Sequence, residues 1–186
     1  MLETYFQKGD SMNITLSQLT YVDMESLYTF ELTNRAYFEK MVPSRGDDYY
    51  EFNNFQKQNL MLIHEQEQER SYFYLIKNEL GQIVGRINLT DIDKKQQLGY
   101  IGYRVGDEHS SKGIANKALK LLLTIASNKG IRQIAAKTTT NNIASQKVLE
   151  KNGFIYTGTS SEEFAMNGQK LKFVYYNWND SEASRL

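Results

Sequence analysis

The sequence predicts a mixed α/β fold that begins with antiparallel strands and continues with strands that alternate with helices. Residues 71–105 contain three β-rich segments separated by short turns, which is typical of antiparallel hairpins. Residues 106–159 instead alternate helical and strand patterns, which favours parallel strands joined by crossover helices. Because no repeat or low-complexity linker divides the 186 residues, we predict one domain over 1–186.

The N-terminal part predicts a short strand followed by a helix. Residues 1–11 show no clear periodicity and precede a second methionine, so we treat them as a possible N-terminal extension. The alternation in NITLSQL predicts a strand. Thr20 and Asp23 form a capping-box pattern that starts a helix, and we expect that helix to end near residues 33–34.

A second helix and three strands are predicted next. After the single proline, Pro43, apolar and amide side chains recur at helical spacing in residues 52–62. The segments SYFYLIK and QIVGRINLT flank the turn NELG and predict a hairpin, and QLGYIGYRV predicts the third strand of a meander.

The C-terminal half predicts two helices and three strands. The first helix follows HSSKG and carries one apolar face, formed by Ile114, Ala118, Leu121, Leu122 and Ile125. Gly130 ends this helix, RQIAAKTTT predicts a strand, and NNIASQKVLEKNG predicts a short helix with an asparagine cap. FIYTGTS and KLKFVYYNW predict a closing pair of strands.

The composition excludes several classes of protein. Lys plus Arg equals Asp plus Glu at 22 each, so no global basic field favours nucleic acid or anionic membranes. The absence of cysteine excludes disulfides, thiolate metal sites and a cysteine nucleophile, and two histidines are too few for a histidine-based metal cluster. Apolar runs are too short for a membrane span. We therefore expect a cytoplasmic protein without a metal, a nucleic-acid partner or a membrane partner.

The segment HSSKGIANKAL predicts an anion-binding helix start. A strand that ends at Val105 feeds a loop of small residues and then a helix, whose first N–H groups lack helical partners. Gly113 allows close approach of a ligand to the backbone, and Ala115 adds little bulk. Phosphate is the expected guest, although a serine N-cap explains the same residues without a ligand. The pattern lacks the ending of a Walker A loop and lacks GxGxxG, which disfavours nucleoside triphosphatases and Rossmann proteins.

Two separated segments in the same order resemble the GNAT superfamily of N-acetyltransferases, in particular the Rim-type ribosomal-protein N-terminal acetyltransferases. The first is GYIGYRV followed by SSKGIANKAL, where Gly113 and Ala115 match the small positions of the loop Gln/Arg-x-x-Gly-x-Gly/Ala and Ser110 departs from its first residue. The second is NNIASQKVLEKNGF, where Asn142 and Ser145 match Asn-x-x-Ser. The resemblance covers residues 12–178.

This resemblance implies a centrally splayed sheet that binds acetyl-coenzyme A as co-substrate. The pantetheine would lie between the strand that ends at Val105 and the strand RQIAAKTTT, with a backbone N–H near Val105 stabilising the oxyanion. The residues that the resemblance and the loop assign to the coenzyme are Val105, Ser110, Ser111, Lys112, Gly113, Ile114, Ala115, Asn142 and Lys147.

The resemblance also implies catalytic roles. Ser145 is the candidate acid or hydrogen-bond donor for the leaving thiolate, since Val148 and Leu149 replace the tyrosine of some relatives. Rim-type relatives often carry a base glutamate where this chain has Tyr100 or Thr157. Glu108, in the loop, and Glu162 or Glu163 further on are the carboxylates available as a base, with Glu108 the one assigned to the site, and a surface carboxylate is the simpler interpretation of each.

The sequence therefore predicts an N-acetyltransferase whose acceptor amine attacks the thioester directly. We expect the acceptor to be the α-amino group of a protein or peptide, such as a ribosomal protein. A polyamine or aminoglycoside N-acetyltransferase and a non-catalytic acyl-coenzyme A sensor are the alternatives. The chain is expected to be a monomer or a homodimer.

Overall fold

The computed structural model describes residues 12–180, which form two β-sheets with helices on both faces of the larger one. The predicted extension, residues 1–11, lies outside the described residues. The helices are α1 (Met24–Thr33), α2 (Arg35–Phe38), α3 (Phe52–Glu67), α4 (Ile114–Asn128) and α5 (Ile143–Lys151). The strands are β1 (Ile14–Gln18), β2 (Tyr72–Asn78), β3 (Ile83–Asp93), β4 (Leu98–Val105), β5 (Gln133–Thr139), β6 (Ile155–Thr159), β7 (Phe164–Met166), β8 (Gln169–Leu171) and β9 (Phe173–Asn179).

The larger sheet has seven strands in the order β1-β2-β3-β4-β5-β9-β6. Strands β1 to β4 form the predicted antiparallel start, and α4 connects β4 to the parallel strand β5. The prediction that the next strand also pairs in parallel was wrong, because β9 lies between β5 and β6 and is antiparallel to both. The alternation of strands and helices predicts that β6 runs in the same direction as β5. It does not predict that β9, which comes later in the chain, pairs with β5 in place of β6.

The small hairpin β7-β8 was not predicted. It turns at Asn167 and Gly168, which both have positive φ, at 52° and 74°. An Asn-Gly pair with this geometry is the preferred two-residue hairpin connection. The strands on either side have three residues each, which is too short for a recognisable alternation.

The larger sheet carries one hydrophobic cluster on each face. Side chains of β2 alternate between them: Phe73 and Leu75 pack with α1 and α3, whereas Tyr72, Tyr74 and Ile76 pack with α4 and α5. This alternation follows from the two-residue period of a strand.

The predicted apolar face of α4 was correct except at its edge. Leu119 and Leu122 are fully buried, whereas Leu121 is 41% exposed. The buried face is centred on Leu122, and adjacent helical residues are separated by about 100° around the axis, so Leu121 lies at the margin.

The predicted splay of the central strands is confirmed. Parallel pairing of β4 with β5 ends at Ile101 and Ala136, although β4 continues to Val105 and β5 continues to Thr139. Each strand stays paired along its other edge, β4 with β3 and β5 with β9. A wedge therefore opens between two otherwise intact halves of the sheet.

Candidate active site

The wedge exposes backbone hydrogen-bonding groups of β4. The N–H of Gly106 donates to the carbonyl of Val84 at 2.9 Å, which fixes the alternation of the β3-β4 ladder. In an antiparallel ladder, hydrogen-bonded pairs alternate with pairs whose N–H and C=O point away from the partner. The N–H groups of Tyr103 and Val105 are consequently directed away from β3, toward the wedge.

A cavity of about 350 Å³, the larger cavity, lies where the wedge meets the start of α4. The residues predicted to bind the coenzyme that line it are Val105, Ser110, Ser111, Gly113, Ile114, Ala115, Asn142 and Lys147. Ser145 also lines this cavity, whereas Lys112 and Glu108 are exposed and lie outside its lining. The structure thus brings together all the predicted site residues except these two.

The loop before α4 has the geometry of an anion cradle. Ser111 and Gly113 both have left-handed backbone conformations, with φ of 58° and 76°. The N–H of Lys117 donates to the carbonyl of Gly113 at 3.1 Å, so the N–H groups of Ile114, Ala115 and Asn116 precede the helical ladder. A Cβ at Gly113 would meet no atom of another described residue within 4 Å beyond its chain neighbours, which leaves open space in front of these donors.

Ser145 and Tyr103 form a hydroxyl pair at the inner end of the larger cavity. The cap residue Asn142 accepts a hydrogen bond from the N–H of Ser145 at 3.1 Å, which fixes the first turn of α5. The Tyr103 hydroxyl lies 3.0 Å from the Ser145 hydroxyl and donates to the Ser145 carbonyl at 3.2 Å. Burial raises the pKa of Tyr103 to about 12, so its phenol stays protonated at neutral pH.

A second cavity of about 220 Å³, the smaller cavity, adjoins the first. The two share Val42, Tyr103, Arg104, Asn142 and Ser145 in their linings. The smaller cavity is also lined by Arg45, Arg86 and Lys137, and by Asn88, whose buried side-chain oxygen has no hydrogen-bond partner among the described residues. The hydroxyl pair therefore lies at the junction of a mainly apolar cavity and a basic one.

A buried carboxylate holds two of these basic side chains. Glu31 is fully buried and pairs with Arg86 at 2.8 Å and with Arg104 at 3.1 Å. Burial by itself raises the pKa of Glu31, but the charges of Arg86, Arg104 and Arg45 outweigh it and hold this pKa below its ordinary value. Glu31 is consequently a stable anion rather than a proton acceptor.

Sequence reasoning missed Glu31, Arg86, Arg104 and the hydroxyl of Tyr103. A signal was present, because Glu31 follows Leu27 and Phe30 at helical spacing and Arg86 interrupts the apolar run IVGRINL. Charged residues within two predicted apolar faces indicate a buried ion pair.

Residues 12–180 contain neither a membrane-spanning helix nor a cluster of metal ligands. None of the helices in this range is long and apolar enough to cross a bilayer. The same residues contain no group of three His, Cys, Asp or Glu side chains that could hold a metal ion.

Comparisons with known proteins agree with this geometry. Residues 13–155 match the model of the acetyltransferase (GNAT) domain. The chain is 28% identical over 164 residues to a probable N-acetyltransferase, YjcK, of Bacillus subtilis. The aligned region covers 87% of this chain and 90% of the relative. The chain therefore belongs to the GNAT family and is an N-acetyltransferase.

Solved structures of two different enzyme types share the fold. One is RimL, a ribosomal L7/L12 α-N-protein acetyltransferase in complex with coenzyme A, with a TM-score of 0.81, 21% identity and coverage of 89% of this chain and 93% of that one. The other is spermidine N-acetyltransferase from Vibrio cholerae in complex with coenzyme A and spermine, with a TM-score of 0.76, 17% identity and coverage of 90% and 96%. Identities this low show the fold but do not distinguish the two acceptors.

Proposed function

We propose that this protein transfers the acetyl group of acetyl-coenzyme A to the α-amino group of a protein or peptide. The observation that carries the proposal is the meeting of the two cavities at Tyr103 and Ser145. We assign the larger cavity to the coenzyme and the smaller cavity to the acceptor, so that the reacting groups meet at the junction.

The larger cavity fits coenzyme A in its chemistry. The open N–H groups at the start of α4 suit the pyrophosphate. Lys147 and Lys151 line the same cavity and supply positive charge, and the buried Nδ1 of His109 has no partner among the described residues. The apolar side chains of Phe38, Met41 and Val148 suit the pantetheine.

The junction provides donors for both oxygen and sulfur. Bound acetyl-coenzyme A supplies an acetyl thioester that is activated toward a neutral amine. The N–H groups of Tyr103 and Val105 are preorganised to stabilise the negative charge that develops on the acetyl oxygen. Hydroxyl protons rotate about the C–O bond, so with the coenzyme bound the hydroxyls of Ser145 and Tyr103 would turn from each other and from the Ser145 carbonyl and donate to the departing sulfur. The amine nitrogen forms the new C–N bond, the C–S bond breaks, and the proton that the amine loses passes to water. A thiol has a pKa of about 8.5, far below that of Tyr103, so these hydroxyls stabilise the thiolate without giving up their protons.

The choice of acceptor follows from the bases that the site offers. Glu108 reaches neither cavity, and Glu31 is held by two arginines. An α-amino group has a pKa of about 7.7 to 8.0, so roughly a third of it is neutral near pH 7.5, against about one part in a thousand of a lysine amine. A site with weak base assistance favours the α-amino group.

A polyamine acceptor is the second candidate, favoured by the structural similarity to the spermidine enzyme. Mass spectrometry of a cell extract incubated with the protein and isotope-labelled acetyl-coenzyme A separates the candidates. We expect label on protein or peptide N-termini. Label on polyamines alone would overturn the proposal, and coenzyme binding without any labelled amine would indicate the acyl-coenzyme A sensor.

A further inference from the structure

The smaller cavity carries an excess of positive charge. Its lining contains Arg45, Arg86, Arg104 and Lys137, and among the described residues no carboxylate lines it. Glu31, behind the wall, contributes one negative charge that Arg86 and Arg104 share. Arg86 and Arg104 also lie directly opposite each other on β3 and β4, an arrangement that is unfavourable without an anion between them.

Two basic side chains of the lining stack on aromatic rings, Arg45 on Tyr49 at 4.5 Å and Lys137 on Phe173 at 5.0 Å. Arg45 and Lys137 are both exposed, and the Arg104 side chain keeps 21% of its surface exposed. Desolvation, together with the nearby charges of Arg45 and Arg86, holds the pKa of Arg104 below its ordinary value despite the ion pair with Glu31. A second anion entering the cavity would therefore be bound favourably.

We infer that the smaller cavity recognises an acidic acceptor, a peptide N-terminus that carries a carboxylate within its first three residues. This inference rests on the proposed function of the same site. Arg104 follows Tyr103 on β4, so the two side chains leave the strand toward opposite faces of the sheet, Tyr103 toward Ser145 and Arg104 toward Glu31. Both residues line the smaller cavity, which therefore extends from the hydroxyl pair to the basic side chains. A peptide whose amine lies at the junction extends its next residues along this cavity toward the basic side chains.

The same positive charges disfavour a polyamine as the acceptor. A polyamine carries several positive charges that would face Arg45, Arg104 and Lys137 at short range. Repulsion between like charges in a partly desolvated cavity reduces both encounter and binding.

The test compares the peptides Ser-Asp, Ser-Asn and Ser-Lys, each followed by the same neutral sequence with a blocked C-terminus. We expect kcat/KM to fall in the order Asp, Asn, Lys by about tenfold at each step. The difference should shrink as ionic strength rises from about 0.01 M to about 1 M, because the Debye length falls from about 30 Å to about 3 Å. A fourth peptide with phosphoserine in the second position separates a carboxylate site from a phosphate site.

Charge-reversal variants show whether the cavity causes the preference. Lys137→Glu, and independently Arg45→Glu, should reduce acetylation of the Asp peptide and improve that of the Lys peptide by about tenfold. Lys57→Glu, an exposed residue of α3 outside both cavities, makes the same change in net charge and should leave the order of peptides unchanged.

The outcomes distinguish this inference from the proposed function. Equal kcat/KM for the first three peptides, or a preference for Lys, would overturn the acidic-acceptor inference while N-terminal acetylation stands. Preference for phosphoserine over Asp would replace the carboxylate by a phosphate. Failure to acetylate any peptide would overturn the proposed function itself.

Discussion

The two cavities that meet at Tyr103 and Ser145 are built in different ways. The larger one is formed mainly by consecutive residues, with the loop 109–116 and the first turns of α5 supplying backbone donors and small side chains. The smaller one takes its basic side chains from β3, β4, β5 and the segment after α2, which are far apart in the chain. The coenzyme site is therefore built mainly by residues that are close together in the sequence. The acceptor site instead depends on the packing of residues that are distant in the chain.

This difference predicts that the buried ion pairs behind the smaller cavity contribute far more to stability than the charged residues that line the larger one. Replacing Glu31 by Gln should lower the free energy of unfolding by about 3–5 kcal/mol, because Arg86 and Arg104 lose their buried counter-charge. Chemical denaturation of both proteins measures the change. Glu25→Gln on the exposed side of α1 is the matched control, and a similar loss in that variant would contradict the account.

The pH dependence of unfolding is a second test of how much the ion pairs of Glu31 stabilise the fold. The pKa of Glu31 is lower in the folded state than its ordinary value of 4.5, so the unfolded state binds the proton first as pH falls. The contribution of Glu31 is therefore complete above the ordinary value and is lost as pH decreases through the folded pKa. Glu31→Gln should flatten this part of the stability profile, and an unchanged profile would show that the ion pairs contribute nothing.

The hydroxyl pair at the junction should affect turnover rather than coenzyme binding. Ser145→Ala should lower kcat by roughly 10- to 1000-fold, and Tyr103→Phe should lower it within the same range, because the departing thiolate loses a donor. Steady-state kinetics and calorimetric titration with coenzyme A measure the two quantities. Ser127→Ala in α4 is the control. Weaker coenzyme binding with normal kcat would instead make Ser145 a pantetheine contact.

The glycine before α4 tests the coenzyme cavity directly. Acetyl-coenzyme A at about a hundred times its dissociation constant should stabilise the native protein by about 2.7 kcal/mol. Gly113→Val should abolish most of this gain, since the added side chain enters the space in front of the N–H groups. Gly130→Val provides a matched control for backbone strain, because Gly130 also has a positive φ, 78°, and open space around it. An equal ligand effect in both variants would refute the assignment.

The smallest expected effect distinguishes two lysines near the coenzyme. Lys147 lines the larger cavity and Lys112 does not. Lys147→Gln should raise the dissociation constant of coenzyme A by about two- to fivefold, within the range of an exposed ion pair, and Lys112→Gln should leave it unchanged. Equal effects would mean that the flexible side chain of Lys112 also reaches the phosphates.

The sequence predicted most of the elements, and most of the residues that line the larger cavity, because their signals are local. The meander, α4, α5 and the phosphate loop are each encoded by contiguous patterns, and the resemblance to the GNAT superfamily implied the splay between β4 and β5. The position of β9 between β5 and β6 was beyond such patterns, because strand order depends on a segment that occurs later in the chain.

The acceptor side was predicted poorly for the same reason. Glu108 is adjacent to the phosphate loop in the sequence, which makes it a candidate base, yet it is exposed and outside both cavities. Glu31 is separated from Arg86 by 55 residues, and no local pattern connects the two. Only the packing of α1 on the sheet brings that carboxylate to the two arginines.

A competition assay tests the central claim most directly. The protein is incubated with labelled acetyl-coenzyme A near pH 7.5 and equal amounts of a peptide with a free N-terminus, an N-blocked lysine peptide and spermidine, and mass spectrometry quantifies each product. Because about a third of an α-amino group is neutral there, we expect the free N-terminus to react fastest, with a rate that rises with pH through about 8. Faster acetylation of spermidine or of the blocked lysine peptide would contradict the account and require a base that deprotonates a strongly basic amine.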